Sequence, residues 1–109
     1  MGFVNAMTVD VEDYFQVQAF AGVIGRVDWE LYPSRVERNT LRLLEVFAQR
    51  QVRATFFVLG WVAERFPGLI QAIRNAGHRV GCHGYWHRMI YEGSEMDFRN
   101  DVQRARKII

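Results

Sequence analysis

Two histidines and a group of carboxylates are the residues of this sequence whose types and spacing could support catalysis. His83 and His87 are four positions apart, and imidazoles at that spacing can reach one metal ion from a single turn or loop. Asp10, Glu12 and Asp13 lie at the end of an apolar run near the N-terminus. Histidines combined with carboxylates form a ligand set for a divalent metal, so the two groups together indicate metal-assisted hydrolysis.

Each group also has an ordinary structural explanation. Histidine pairs at this spacing arise by chance on protein surfaces, and Asp and Glu are common at solvated strand ends and at helix N-caps. Their positions favour a functional explanation, because both groups directly follow predicted strands, where open α/β sheets and barrels place their catalytic side chains. We therefore expect them to converge, the alternative being that they lie far apart.

Composition limits the classes of protein that fit. The chain has 109 residues, half of them apolar, which suits one domain or part of one over residues 1–109. The net charge is +2 and the basic residues are spread along the sequence, so we expect no nucleic-acid partner. No secretion signal or membrane-spanning run is recognisable, and we expect a cytoplasmic protein without a membrane span.

Cys82 is the only cysteine, which excludes an internal disulfide. Zinc binding and nucleophilic catalysis are alternative roles for its thiol. Alternation along the preceding strand, however, points Cys82 away from the face that carries His83. We therefore expect a buried, structural thiol.

Strand and helix patterns alternate along the chain and predict the order βαβαβα. Strands are expected at 3–9, 52–59 and 78–82, and helices at 34–50, at 61–74 and from 94 onward. The segment 14–32 has no sustained period and is rich in aromatic residues. We expect it to be a long loop with room for a short helix, and long ordered loops after strands are often functional.

Several residues mark the ends of the predicted helices. Ser34 and Glu37 form a capping-box pattern at the first helix, and Ser94 with Asp97 starts the last. Pro67 either opens a second helix or kinks the one in which it lies. The sequence stops inside an apolar helical pattern, so we expect a longer protein. Three strands leave open sheet edges that further units or a second copy would cover, and a homo-oligomer is one such arrangement.

Four segments occur in an order and spacing that resemble the polysaccharide deacetylases, the NodB-homology domain of carbohydrate esterase family four. They are residues 8–13, 54–60, 76–78 and 83–87. The Asp-x-Glu form of the first segment resembles the branch found in exopolysaccharide gene clusters with exosortase systems, which is related to peptidoglycan deacetylases and allantoinase-like enzymes. The resemblance implies the N-terminal βαβαβα part of a deformed (β/α) barrel, an α/β fold. The family's later motifs, including the general acid, do not occur in these residues.

The resemblance also implies a site. It implies a divalent metal, usually zinc, with Asp10 as the general base. The implied ligands are Glu12, His83 and His87, with Asp13 as the alternative carboxylate. In the commoner family pattern the metal carboxylate directly follows the base; here that position is Val11, and strand alternation places Asp10 and Glu12 on one face.

The implied activity is removal of N-acetyl groups from the amino sugars of a polysaccharide, either an exopolysaccharide or a peptidoglycan-like polymer. We expect these 109 residues to be weak or inactive alone. Two alternatives remain: an allantoinase-like hydrolase of cyclic amides, and a non-catalytic module that binds carbohydrate or metal through its aromatic loop. His78 is expected to be structural. Trp86 stands where the family has a small residue, and it would narrow the site, stack on a sugar or pack in the core.

Overall fold

A computed structural model describes residues 2–109, and residue 1 of the expected domain lies outside the described residues. Three short strands alternate with helices, and this confirms the βαβαβα order. The strands are β1 (Thr8–Val11), β2 (Thr55–Val58) and β3 (Arg79–Cys82). The helices are α1 (Val36–Arg50), α2 (Gly60–Arg65), α3 (Pro67–Asn75) and α4 (Glu95–Ile108).

The three strands form one parallel sheet in the order β1-β2-β3. Asp10 is level with Phe57, and Phe57 is level with Gly81. Because the strands are parallel and in sequence order, their C-terminal ends meet at one edge of the sheet. This architecture is that of a partial (β/α) barrel, as expected, and it brings the residues that follow β1 and β3 to the same edge.

Apolar residues at alternate strand positions pack against the helices on one face of the sheet. Phe56 and Val58 of β2 are fully buried, and the ring of Phe56 lies 6.0 Å from that of Phe47 in α1. Leu69 and Ile73 of α3 are also buried in this core. Burying one face in this way fixes the strand register, because a one-residue slip would turn every apolar side chain to the other face.

The second predicted helix is divided at Pro67. Pro67 is the first residue of α3, which suits a residue without an N–H to donate, and Phe66 separates α3 from α2. Gly77 follows the end of α3 with a φ of 90°, a conformation that glycine adopts without steric cost. Among the helices of residues 2–109, none combines the length and apolarity that a membrane span requires.

The segment between β1 and α1 is the expected long loop, with short 3₁₀ helices at Tyr14–Gln16, Gln18–Phe20 and Arg26–Leu31. Phe15 and Trp29 are buried in it, with ring centroids 6.2 Å apart. These two residues therefore contribute to the core, and their rings lie 5.9 Å and 5.5 Å from that of Trp61 in α2.

The first strand begins later than predicted. Phe3 and Val4 are 98% and 100% exposed, although the apolar run predicted a buried strand from residue 3. The pairing with β2 starts only at Thr8, opposite Thr55. Apolar residues upstream of that point have no facing strand to pack against, so the prediction was wrong for them.

Two further predictions were wrong for reasons of tertiary structure. Arg35 is the N-cap of α1, and the hydroxyl of Ser34 donates to the Asp13 carboxylate instead of capping the helix. Cys82 is exposed, although we expected a buried thiol. It lies on β3, which pairs only with β2 among the described residues.

Candidate metal centre

Strand pairing positions the two halves of the candidate site. The N–H of Leu59 donates to the carbonyl of Val11 at 3.1 Å, and the N–H of His83 donates to the carbonyl of Val58 at 3.0 Å. These bonds continue the sheet to the ends of β1 and β3. Glu12 and His83 are therefore the first residues past the strands, at the edge where parallel α/β folds place their ligands.

Three side chains converge at this edge. Nε2 of His87 lies 2.7 Å from Oε2 of Glu12, and Nε2 of His83 lies 3.7 Å from the same oxygen. The ligand atoms of Glu12, His83 and His87 all lie within 4.8 Å of one another. Side chains that are distant in sequence thus offer one oxygen and two nitrogens to a common point.

The donor set suits a divalent metal. Zinc bonds of about 2.1 Å at tetrahedral angles separate ligand atoms by roughly 3.4 Å, and the distances of 2.7 Å and 3.7 Å from Oε2 of Glu12 to the two Nε2 atoms lie on either side of that value. Oε2 of Glu12, despite its 2.7 Å approach to Nε2 of His87, and Nε2 of His83 are buried without a hydrogen bond of good geometry. Buried polar atoms are rarely left unpaired, and a cation bound between them would satisfy both.

The electrostatics of the cluster favour an ionised carboxylate. Burial raises the pKa of Glu12, but the imidazoles of His83 and His87 outweigh it and lower the pKa to about 2. The Glu12 carboxylate in turn raises the pKa of His83, although burial opposes this. Glu12 is therefore negatively charged across the physiological pH range, as a metal ligand must be.

The three candidate carboxylates have different surroundings. Asp10 lies within β1 with a side chain 59% exposed, and its Oδ2 is 3.8 Å from Nε2 of His83. Asp13 is buried and is not part of the cluster: its carboxylate accepts from the Ser34 hydroxyl and, at 2.9 Å, from the Arg35 N–H. Glu12 thus lies among the histidines, Asp10 beside them, and Asp13 at the start of α1.

Pockets open on both sides of the cluster. One of about 270 Å³ is lined by Asp10 and Glu12 together with Arg35 from the segment before α1. Another, of about 370 Å³, is lined by His83 and His87. The site is therefore accessible to a ligand larger than water.

His78 and Trp86, which the sequence also singled out, make contacts that support the fold. Nδ1 of His78 accepts a hydrogen bond from the N–H of Ala54 at 3.1 Å, before the first residue of β2 and at the end of the sheet opposite the cluster. The half-buried ring of Trp86 packs 5.8 Å from that of Trp29. His78 is therefore satisfied by the backbone, and Trp86 belongs to an aromatic contact with the long loop.

Two residues that the sequence analysis did not single out contact the loop that carries the histidines. Asp101 of α4 accepts hydrogen bonds from the N–H groups of Tyr85 and Trp86. Arg26 of the long loop donates to the carbonyls of Trp86 and His87. No local pattern marks either residue; only the packing of distant segments reveals these contacts.

A parallel α/β sheet with one carboxylate and two histidines at its C-terminal edge is typical of metal-dependent hydrolases. A sequence profile of the polysaccharide deacetylase family matches residues 28–109. The chain belongs to this family.

Individual relatives agree with the family assignment. The chain is 37% identical over 70 residues to a peptidoglycan-N-acetylglucosamine deacetylase of Bacillus cereus, covering 64% of this chain and 26% of the relative. It is 35% identical over 78 residues to a peptidoglycan deacetylase of Helicobacter pylori, covering 65% and 27%. The chain thus spans about a quarter of these proteins.

A solved structure shows the same fold. The peptidoglycan N-acetylglucosamine deacetylase Bc1960, crystallised with 4-naphthalen-1-yl-N-oxidanyl-benzamide, matches with a TM-score of 0.69 and 29% sequence identity. The match covers 94% of this chain and 38% of that one. Nearly all of the chain therefore corresponds to part of a deacetylase domain, which confirms the predicted resemblance.

Proposed function

We propose that the protein is a metal-dependent deacetylase that hydrolyses the N-acetyl groups of amino sugars in a polysaccharide. One observation carries the proposal: Glu12, His83 and His87 converge within 4.8 Å at the catalytic edge of a fold that belongs to the deacetylase family. These three side chains hold the metal, for which zinc is the first candidate because two imidazoles and a carboxylate are a common zinc ligand set.

The side chains divide the work of amide hydrolysis. When bound, the metal supplies Lewis-acid polarisation of the acetyl carbonyl and lowers the pKa of water. Asp10 lies outside the ligand set with an exposed carboxylate 3.8 Å from His83, so it is free to accept a proton. Asp10 acts as the general base that takes the proton of the attacking water.

The substrate class follows from the relatives. The Bacillus cereus and Helicobacter pylori proteins are named as peptidoglycan deacetylases. The name of the Bacillus cereus protein specifies N-acetylglucosamine, a sugar with an N-acetyl group. We propose that this protein acts on the same chemical group, in a cell-wall polymer or in an exopolysaccharide. The pockets beside Asp10 and His87 leave this edge open to a sugar chain.

The proposal is tested by acetate release from N-acetylglucosamine oligomers and from peptidoglycan, using the purified protein in its full natural length with added zinc. We expect zinc-dependent release of acetate that is lost in the His87→Ala variant. Allantoin serves as the competing substrate. Hydrolysis of allantoin without acetate release would favour the cyclic-amide alternative, and sugar binding without any turnover would favour a non-catalytic module; either result would contradict the proposal.

A further inference from the structure

The loop that carries both histidines has an unusual backbone. Gly84 has a φ of 72°, and His87, which is not a glycine, has a φ of 54°. A positive φ is uncommon for residues with a Cβ, and it persists only where surrounding groups hold it. The direction of the His87 side chain therefore depends on whatever holds this loop.

Asp101 of α4 binds N–H groups of the loop. Its Oδ2 accepts from the N–H of Tyr85 at 2.9 Å, and its Oδ1 accepts from the N–H of Trp86 at 3.0 Å. A Cβ at Gly84 would lie 2.9 Å from Oδ2, so glycine at this position leaves room for the carboxylate. Both oxygens of Asp101 thus bind consecutive peptide groups between the two histidines.

Arg26 binds carbonyl groups of the same loop. Its Nε donates to the carbonyl of Trp86 at 2.8 Å, and one of its terminal nitrogens donates to the carbonyl of His87 at 3.2 Å. The same nitrogen lies 3.4 Å from a carboxylate oxygen of Glu92, an ion pair that also restrains the guanidinium. The planar donor fork of arginine matches two neighbouring carbonyls in a way that the single ammonium of lysine does not.

We propose that Arg26 and Asp101 are positioning residues, which hold the backbone between His83 and His87 in the one conformation that directs both imidazoles at the metal. The Asp101 carboxylate accepts from N–H groups of the loop, and the Arg26 guanidinium donates to carbonyl groups of the same loop. The two residues come from different elements, the loop after β1 and helix α4. This inference rests on the proposed metal centre and extends it to two residues outside the ligand set.

The test is zinc affinity by titration calorimetry and the absorption spectrum of the Co²⁺-loaded protein, which reports ligand geometry. Arg26→Ala and Asp101→Asn are expected to weaken zinc binding by roughly 10- to 100-fold, the range typical of residues that orient metal ligands. Arg26→Lys keeps the charge and should lose less zinc affinity than Arg26→Ala. In each variant the Co²⁺ spectrum should change.

Two variants serve as matched controls. Arg42→Ala removes an arginine whose ion pair with Glu45 is fully on the surface of α1. Asp97→Asn weakens the capping box with Ser94 at the start of α4. Neither residue bonds to the histidine loop, so both variants should bind zinc like the unchanged protein, even where Asp97→Asn lowers stability.

The experiment distinguishes failure of the proposed metal centre from failure of the positioning role alone. If the unchanged protein binds no zinc, the proposed metal centre is wrong and the positioning role falls with it. If zinc binding is lost in His87→Ala but stays within threefold in Arg26→Lys, Arg26→Ala and Asp101→Asn, with unchanged Co²⁺ spectra, only the positioning proposal is overturned. Should Asp101→Asn fail to fold, the Arg26 pair of variants decides.

Discussion

Nε2 of His87 lies 2.7 Å from Oε2 of Glu12, a contact between a residue just past β1 and one in the loop past β3. The central strand β2 lies between these two strands, so the contact spans the whole sheet at its C-terminal edge. It forms only when the strands pair in this order and register. The strand pairing that buries the core therefore also assembles the candidate metal centre.

Replacing Asp10 with asparagine should separate metal binding from catalysis. Asparagine keeps the size of the side chain but is not a base, so we expect acetate release to fall by about 100-fold or more. Zinc content should be unchanged, because Asp10 lies outside the cluster of ligand atoms. The measurement is kcat/KM for acetate release beside zinc analysis, with the exposed Glu37→Gln as a control. An equal loss of zinc and activity would instead make Asp10 a ligand.

Replacing Asp13 should affect stability and leave metal binding intact. Asp13 is 2% exposed and accepts from the Ser34 hydroxyl and the Arg35 N–H. In Asp13→Ala these donors lose their acceptor, which costs about 1–3 kcal/mol of the free energy of unfolding. Urea unfolding and zinc titration of the same sample make the test. Loss of zinc at unchanged stability would restore Asp13 as the metal carboxylate.

His78 predicts a pH dependence of stability. Burial lowers the pKa of His78 below its usual 6.5, and Arg53 lowers it further. The unfolded chain therefore binds the proton more readily than the folded one, so the stabilisation is complete above pH 6.5 and is lost as pH falls toward the folded pKa. Its slope cannot exceed about 1.4 kcal/mol per pH unit, the limit for one proton.

The His78 contribution is isolated by comparing urea unfolding of the unchanged protein with that of His78→Gln between pH 5 and 8. This comparison is needed because the pKa of His83 is shifted upward, which gives a stability change of the opposite sign. The difference between the two proteins should shrink as the solution is acidified. A difference that stays constant across this range would refute a buried, neutral His78.

Gly81 should be sensitive to the addition of a single methyl group. A Cβ at this position would lie 2.6 Å from Cδ1 of Phe57 on the neighbouring strand. Gly81→Ala should therefore destabilise the fold by about 1–3 kcal/mol through overpacking, and adding Phe57→Leu should recover part of the loss. Thermal unfolding measures both.

Gly68→Ala is the matched control for Gly81, because nothing lies within 4 Å of its added Cβ. It lies in α3, where alanine favours the helix more than glycine by up to about 1 kcal/mol. We expect it to be neutral or stabilising. Equal destabilisation by both alanines would show that the Phe57 contact does not control the effect.

Local patterns in the sequence predicted much of the fold. Alternating apolar runs predicted the order of strands and helices, and Pro67 and the Ser94–Asp97 capping box lie at real helix starts. Local patterns were wrong where distant contacts decide. Phe3 is exposed because no strand faces it, and the hydroxyl of Ser34 bonds to Asp13 from an earlier loop.

For the candidate site, too, local patterns predicted some residues, and others depended on distant contacts. Histidine spacing singled out His83 and His87, and the family resemblance together with strand alternation implied Glu12 as their carboxylate partner. The structure brings these three side chains together. Arg26 and Asp101 were missed because their role depends on contacts with backbone groups of a loop far away in sequence. A backbone acceptor or donor leaves no mark on the sequence, so such partners become visible only in three dimensions.

The central claim, that Glu12, His83 and His87 hold a metal ion, is tested most directly by zinc stoichiometry and affinity. The purified protein is titrated beside Glu12→Gln, His83→Ala and His87→Ala, with Asp13→Asn as the carboxylate control. The structure predicts one zinc per chain in the unchanged protein and the control, and a large loss of affinity in each of the three variants. Zinc that is absent, or that binds equally in all five proteins, would contradict it.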